Sequence, residues 1–234
     1  MVQSERKIPK DAPVIAIDGP SASGKGTVAM AVALQLGLHY LDSGAIYRVI
    51  GLAASRTGLD LDQESAIAAM SLNIKISFIN ERVFWADEDV TDAIRTEPMG
   101  AAASRVAAHP GVRQAVLQWQ RDFCKSPGLV ADGRDMGSVV FPAAKLKIFL
   151  TASVEARALR RYKQLKSKGL DANIDSLLLE LTLRDQRDSE RAVAPLQRFA
   201  DAIEVDTTQL SVVESVEKVL LLCEAAGIRS RGLS

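Results

Sequence analysis

Residues Gly19-Pro20-Ser21-Ala22-Ser23-Gly24-Lys25-Gly26-Thr27 constrain the fold of this chain more than any other segment. An apolar run, Val14-Ile15-Ala16-Ile17, precedes them, and a helix-patterned run from Val28 to Leu36 follows. Strand, glycine-rich loop, lysine and helix in that order make a P-loop, which wraps a triphosphate with backbone N–H groups. Gly19 and Gly24 supply backbone freedom that a Cβ would restrict. The helix behind the loop presents roughly +0.5 charge at its N-terminus. Lys25 adds a full charge near the β- and γ-phosphates, and Thr27 offers a hydroxyl to the Mg²⁺ that accompanies ATP.

The general pattern asks for Ser or Thr directly after the lysine, and here Gly26 intervenes. This Gly-Lys-Gly-Thr version resembles the loop of many nucleoside-monophosphate kinases. Two other readings compete with it. A Gly/Ser-rich turn that binds nothing is opposed by the agreement of strand, spacing, lysine and hydroxyl. Gly24 to Ala29 also fits the dinucleotide pattern G-x-G-x-x-A, with Asp42 downstream as a ribose acid. That fingerprint starts where the strand ends, whereas here Gly19 to Ser23 lie between, and a triphosphate needs that extra loop.

The rest of the composition excludes more than it selects. The 234 residues can bury one substantial core, or one domain carrying an insert. Net charge is zero, which argues against broad binding of nucleic acid or anionic membrane. Cys124 and Cys223 lie far apart without metal-type spacing, so buried free thiols and a cytoplasmic location are expected. His39 and His109 have no partner pattern for a metal site. No apolar run approaches the ~20 residues of a membrane span. Met1 to Pro13 shows no apolar signal core; it and Gly227 to Ser234 read as frayed tails. A monomer is expected.

Periodicity gives the outline. Strands are expected at Val14–Asp18, His39–Leu41, Leu129–Asp132, Leu146–Leu150 and Ala202–Val205. Helices are expected at Thr27–Leu36, Gly44–Arg56, Glu97–Ala107, Val112–Phe123, Val154–Lys168, Ile174–Glu190 and Val212–Ala225. The alternation implies an α/β fold, a five-stranded parallel sheet with helices on both faces. A different pattern interrupts it: a short helix Asp62–Met70 with Asp62 as N-cap, then Asn73–Asn80 and Glu81–Asp87 as a hairpin. Residues 62–105 therefore read as an inserted substrate-side lobe in a core of 12–61 and 106–234.

Three further clusters stand out. Asp42-Ser43-Gly44-Ala45-Ile46-Tyr47-Arg48 follows the second strand; Ser43 can donate to a phosphate and Arg48 can grip one bidentately. A helix N-cap explains Asp42-Ser43 equally well. Asp132-Gly133-Arg134-Asp135-Met136-Gly137 follows the strand at Leu129, where a tight turn with a surface ion pair is the plainer alternative. Arg184, Asp188 and Arg191 share a helix face at i, i+4 and i+7, which is also the pattern of a solvated salt-bridge ladder.

Taken together and in order, these segments resemble bacterial cytidylate kinase from residue 14 to 196. The chain carries Ile17-Asp18-Gly19-Pro20-Ser21 through Thr27, Leu41-Asp42-Ser43 through Arg48, and Ala93-Ile94-Arg95-Thr96. It also carries Asp132 through Pro142, and Arg184 through Leu196. Ala22 and Ala93 depart from the residues usual in the family, and Ala22 adds slight strain to the loop. The resemblance implies phosphoryl transfer from MgATP to CMP or dCMP in a P-loop core with a CMP-binding lobe and a small helical lid at about 154–170. Gly19 to Thr27 would hold ATP, with Arg157, Arg160 and Arg161 over its phosphates. Ser43, Arg48, Arg134 and Arg191 would surround the acceptor phosphate. Ser104, Arg113 and Asp135 would face cytosine, Arg184 and Asp188 the ribose, and Tyr47 would line the pocket. Lys25, Arg134, Arg191 and Arg48 would carry the catalytic charge neutralisation, with no catalytic base. Kinases for adenylate, uridylate or shikimate remain alternatives, as does a nucleotide-gated binding protein. A switch GTPase would need an N-K-x-D guanine reader, and the sequence has none.

Overall fold

The computed structural model describes residues 12–79 and 82–229. In chain order the elements are β1 (Val14–Asp18), α1 (Lys25–Leu36), β2 (His39–Asp42), α2 (Ser43–Thr57), α3 (Glu64–Leu72), β3 (Ile76–Ile79), β4 (Arg82–Trp85) and β5 (Glu88–Asp89). They continue with α4 (Glu97–Val106), α5 (Pro110–Arg121), β6 (Leu129–Gly133), β7 (Leu146–Thr151), α6 (Val154–Ser167), α7 (Ile174–Glu190), β8 (Ile203–Asp206) and α8 (Val212–Ala225). The chain gathers into two compact units. The first runs to Leu41 and resumes over Arg121–Glu190 and from Ala194 on; the second is Asp42–Gln120 with Arg191–Val193.

The first unit is built on a five-stranded parallel sheet of order β2-β6-β1-β7-β8. The fully apolar run of β1 takes the centre, paired in parallel with β6 and β7. A strand buried on both faces needs apolar residues at every position, and β1 has them up to Asp18. Val28, Val32 and Leu36 of α1 join Val216, Val219 and Cys223 of α8 over Ile15, Ile17, Ile148, Leu150 and Val205 on one side. Ala16 points the other way, against a π-helical turn at Met136–Val140. A smaller core forms between α6 and α7 from Ala158, Leu177 and Leu181.

The second unit packs α2 onto a three-stranded antiparallel sheet, β3-β4-β5. Ala45, Val49 and Leu52 of α2 meet Val83, Val90 and Ile94. Ile76 and Phe78 are half-buried while Ser77 and Ile79 are exposed, the period-2 alternation of a one-sided sheet. Phe78 lies 6.2 Å from the Trp119 ring of α5.

Several expectations need correction. Asp62 does not cap α3: the N-cap is Gln63, and the Asp62 carboxylate pairs with Arg105 at 2.7 Å instead. The hairpin gains a third strand, β5, too short for periodicity to signal. Cys124, in the segment between α5 and β6, and Cys223, in α8, are buried and free as expected. Burial pushes the Cys223 thiol up to about 11. The C-terminal tail does not begin at Gly227. Ile228 is 3% exposed and packs in the main core, and its N–H donates to Cys223 O at 2.8 Å. Residues 1–11, 80, 81 and 230–234 of the expected tails and hairpin lie outside the described residues.

Candidate active site

β6, β1 and β7 are adjacent, so the loops leaving their carboxyl ends are neighbours, and such loops bind ligands in open α/β sheets. The loop after β1 passes so close to β7 that a Cβ on Gly19 would sit 2.1 Å from Leu150 O, which glycine alone allows. Gly24, at φ 91°, turns the chain into α1 and leaves the first N–H groups of that helix facing the loop. Ala22 holds φ 58°, a left-handed conformation that costs a non-glycine residue roughly 1 kcal/mol. The expected slight strain is therefore present, and Ala22 packs against the α6–α7 core. Thr27 is exposed in the first turn of α1.

Lys25 donates to Pro20 O at 3.3 Å, and its ammonium lies 3.9 Å from Asp132 at the end of β6. Tyr40 donates to the other oxygen of that carboxylate at 3.4 Å. Arg134, two residues on, spends three of its N–H groups on protein. Nε donates to Asp188 Oδ2 at 3.0 Å, Nη1 to Gly133 O at 3.1 Å and Nη2 to Ser21 Oγ at 2.9 Å. Asp188 is buried within this pairing, so the segment after β6 is not a turn with a surface ion pair. Asp135 is 3% exposed and opens the π-helical turn, its carbonyl accepting from Val139 at 2.9 Å and Val140 at 3.2 Å.

The α6 arginines brace the loop from behind. Arg157 is buried; it donates to Ala152 O and Ser21 O at 3.0 Å each and pairs with Asp185 at 2.6 Å. Arg160 donates to Ser23 O at 3.1 Å and also to Thr207 O. Thr207 Oγ1 in turn donates to Ser23 O at 3.3 Å. Arg161 donates to Gln164 Oε1 of its own helix at 2.5 Å. Arg184 and Asp188 do share α7, but the helix ends at Glu190, so Arg191 leaves the expected stripe and groups with the second unit.

In the second unit Ser43 is buried at the start of α2, where Asp42 caps the helix by accepting from Ala45 N at 3.0 Å. The cap reading of Asp42 is thus realised. Arg48, one turn on, donates to Ile94 O at 2.8 Å and Thr96 O at 3.2 Å. Arg113 of α5 donates to Ala107 O at 3.1 Å, and its guanidinium lies 5.7 Å from the Tyr47 ring centroid, a cation–π distance. Ser104 is buried on α4.

A family model described as cytidylate kinase matches residues 15–225. The chain belongs to the cytidylate kinase family. The cytidylate kinase of Azotobacter vinelandii is 53% identical over 213 residues, 88% of this chain and 93% of that one. The cytidylate kinase of Stutzerimonas stutzeri is 54% identical over 217 residues, 90% of this chain and 95% of that one. The fold is also that of a gluconokinase from Sinorhizobium meliloti, at TM-score 0.50, 16% identity, and coverage of 94% of this chain and 96% of that one.

Sequence reasoning about this cytidylate kinase family member missed Asp18, which had signified only a strand end. Its carboxylate accepts from Met136 N and Gly137 N at 2.8 Å each, across 118 and 119 residues of chain. Burial raises its pKa to about 7 against the pull of the Gly137 N–H, with Asp135 pushing it further up. Tyr40 and Thr207 were missed too. Only the alternation of strands, which makes β6 the neighbour of β1, could have pointed to any of these.

Proposed function

We propose that the protein transfers the γ-phosphoryl group of MgATP to CMP or dCMP, giving ADP and CDP or dCDP. What supports the reading is Arg134, held at the mouth of the phosphate loop in a chain that matches the cytidylate kinase family almost end to end. Gly19 to Thr27 hold the donor phosphates through backbone N–H groups, and Lys25 neutralises charge on them. Arg134 is bound to protein through Nε and one N–H of each terminal nitrogen. Its remaining N–H groups suit an acceptor phosphate. Ser43, Arg48 and Arg191 complete that anion site, and the acceptor phosphate needs no general base because it is already ionised.

Ser104, Arg113 and Asp135 read cytosine, with Tyr47 lining the pocket; Arg184 and Asp188 reach the ribose. Asp135 accepts from the exocyclic amine, where uracil presents a second acceptor. The Thr27 hydroxyl and the Asp132 carboxylate are the oxygen donors that would hold magnesium, and oxygen donors suit a hard cation. Magnesium, when bound, supplies charge neutralisation on the transferring phosphate. Residues 62–105 act as the CMP-binding lobe and 154–170, with Arg161, as a lid over ATP. The protein works as a cytoplasmic monomer in pyrimidine nucleotide metabolism, without nucleic-acid or membrane partners.

A coupled-assay screen of nucleoside monophosphates tests the reading: CMP and dCMP should lead in kcat/KM, and AMP or UMP in their place would defeat it. Asp135→Asn should lower the CMP over UMP ratio about tenfold, because an amide can donate to uracil O4. An unchanged ratio would take Asp135 out of base reading.

A further inference from the structure

Ser21 sits in the donor loop, yet both of its polar ends are taken by arginines of other elements. Its hydroxyl accepts from Arg134 Nη2 at 2.9 Å and its carbonyl from Arg157 Nη1 at 3.0 Å. It is 4% exposed. Resting on the function proposed above, we propose that Ser21 is the positioning residue for Arg134, so that a hydroxyl of the ATP loop sets the guanidinium that grips the acceptor phosphate.

The geometry of Arg134 carries the inference. A guanidinium is a rigid planar fork, so holding Nε and one terminal nitrogen still lets the plane swing about the line through them, and a contact at the third nitrogen fixes it. Asp188 holds Nε and Gly133 O holds Nη1. Both contacts leave Nη2 able to tilt out of line as Arg134 rotates about its side chain. The third contact, Ser21, comes from the other side and from β1's own loop rather than from β6 or α7. Three contacts from three segments define the plane. Ser21 is in turn immobilised through its carbonyl by Arg157, which is itself buried and paired with Asp185. The hydroxyl is therefore a fixed point. Phosphoryl transfer needs the acceptor oxygen in line with the donor phosphate, and small misplacements cost large factors in rate. Mounting the acceptor's arginine on the donor's loop ties the two anions to one frame.

The consequence is unusual for a P-loop residue: the loss should fall on the acceptor. Ser21→Ala should raise the KM for CMP about tenfold and lower kcat, since a hydrogen bond to a charged group is lost, while the KM for ATP stays within about twofold. In an Arg134→Ala background the same substitution should add little, the non-additivity of a contacting pair. Ser21→Thr, which keeps the hydroxyl, should restore the CMP KM. If Ser21→Ala does not fold, Ser21→Cys keeps the volume, weakens the acceptor and carries the same test. An unchanged CMP KM, an ATP KM that rises in step with it, or additive effects in the double variant would overturn the role. Failure of the wild type to phosphorylate CMP would overturn only the functional reading, and the cycle would then be read on the acceptor the screen returns.

Discussion

Arg157 and Arg56 each make an ion pair at 2.6 Å, Arg157 with Asp185 behind the phosphate loop and Arg56 with Glu88 at the edge of the three-stranded sheet. The side chains of the first pair are 6% and 23% exposed, those of the second 40% and 55%. Equal distances thus sit in unlike surroundings. Arg157 also satisfies two carbonyls that water does not reach, Ala152 O and Ser21 O. Arg56 lies 5.4 Å from the Trp85 ring and draws Glu88 below the usual carboxylate range, but water competes for both charges. Removing one partner from a buried pair strands the other, whereas an exposed partner is simply rehydrated. The donor loop is braced where bracing is worth most, and the small sheet is held at its rim by pairs that cost little to break.

The largest effect expected on the braced side is at its centre. Lys25→Met should fold and yet lose turnover by about 100-fold or more, the loss typical of removing one preorganised charge donor. A near-wild-type kcat would remove the loop from the chemistry. Next comes Arg157→Ala, which leaves Asp185 and two carbonyls without their donor and should cost about 3 kcal/mol in urea unfolding. A loss no larger than that of an exposed pair would erase the distinction between the two regions.

Asp18 gives the braced side a pH dependence that the small sheet's exposed pairs do not share. Its folded pKa of about 7 lies above the ordinary 3.8. The stability it contributes is therefore complete below about pH 3.8 and is lost as pH rises through about 7. The stability of the wild type relative to Asp18→Asn should fall from about pH 3.8 to about pH 7 and level off above, measured as paired urea midpoints. Parallel curves would show that the group does not titrate there. The smallest effect is expected from Arg56→Ala. Its thermal midpoint should shift little, and high salt should shrink even that shift. A loss matching that of Arg157→Ala would contradict the argument from burial.

Much of this was legible in the sequence for local reasons. The central strands of the parallel sheet and the P-loop announce themselves through runs of apolar residues and through glycines at fixed spacing. The expected helix at Val154–Lys168 and the observed α6 agree to within a residue, because serine at the cap and Gly169 beyond the end are local signals. The misjudged places are those where a residue's partner is distant in the chain. Asp62 carries the chemistry of a cap, but Arg105 offers its carboxylate a charge. The stripe of Arg184, Asp188 and Arg191 presumes a helix that continues, and α7 stops at Glu190. Ile228 has no periodic neighbours to reveal that it closes the core beside Cys223.

The residue pattern alone was enough to place a P-loop after a central buried strand, and cationic clusters after other strands in the order of one kinase family. Spacing and residue type suffice for that, since phosphate binding by backbone amides depends on a local turn. What each arginine is tied to depends on the folded chain. Arg134 meets Ser21 across 113 residues and Arg157 meets Ser21 across 136. Those meetings exist because the parallel sheet sets β6 and β7 on either side of β1, and a parallel crossover joins strands through chain that no local pattern can span.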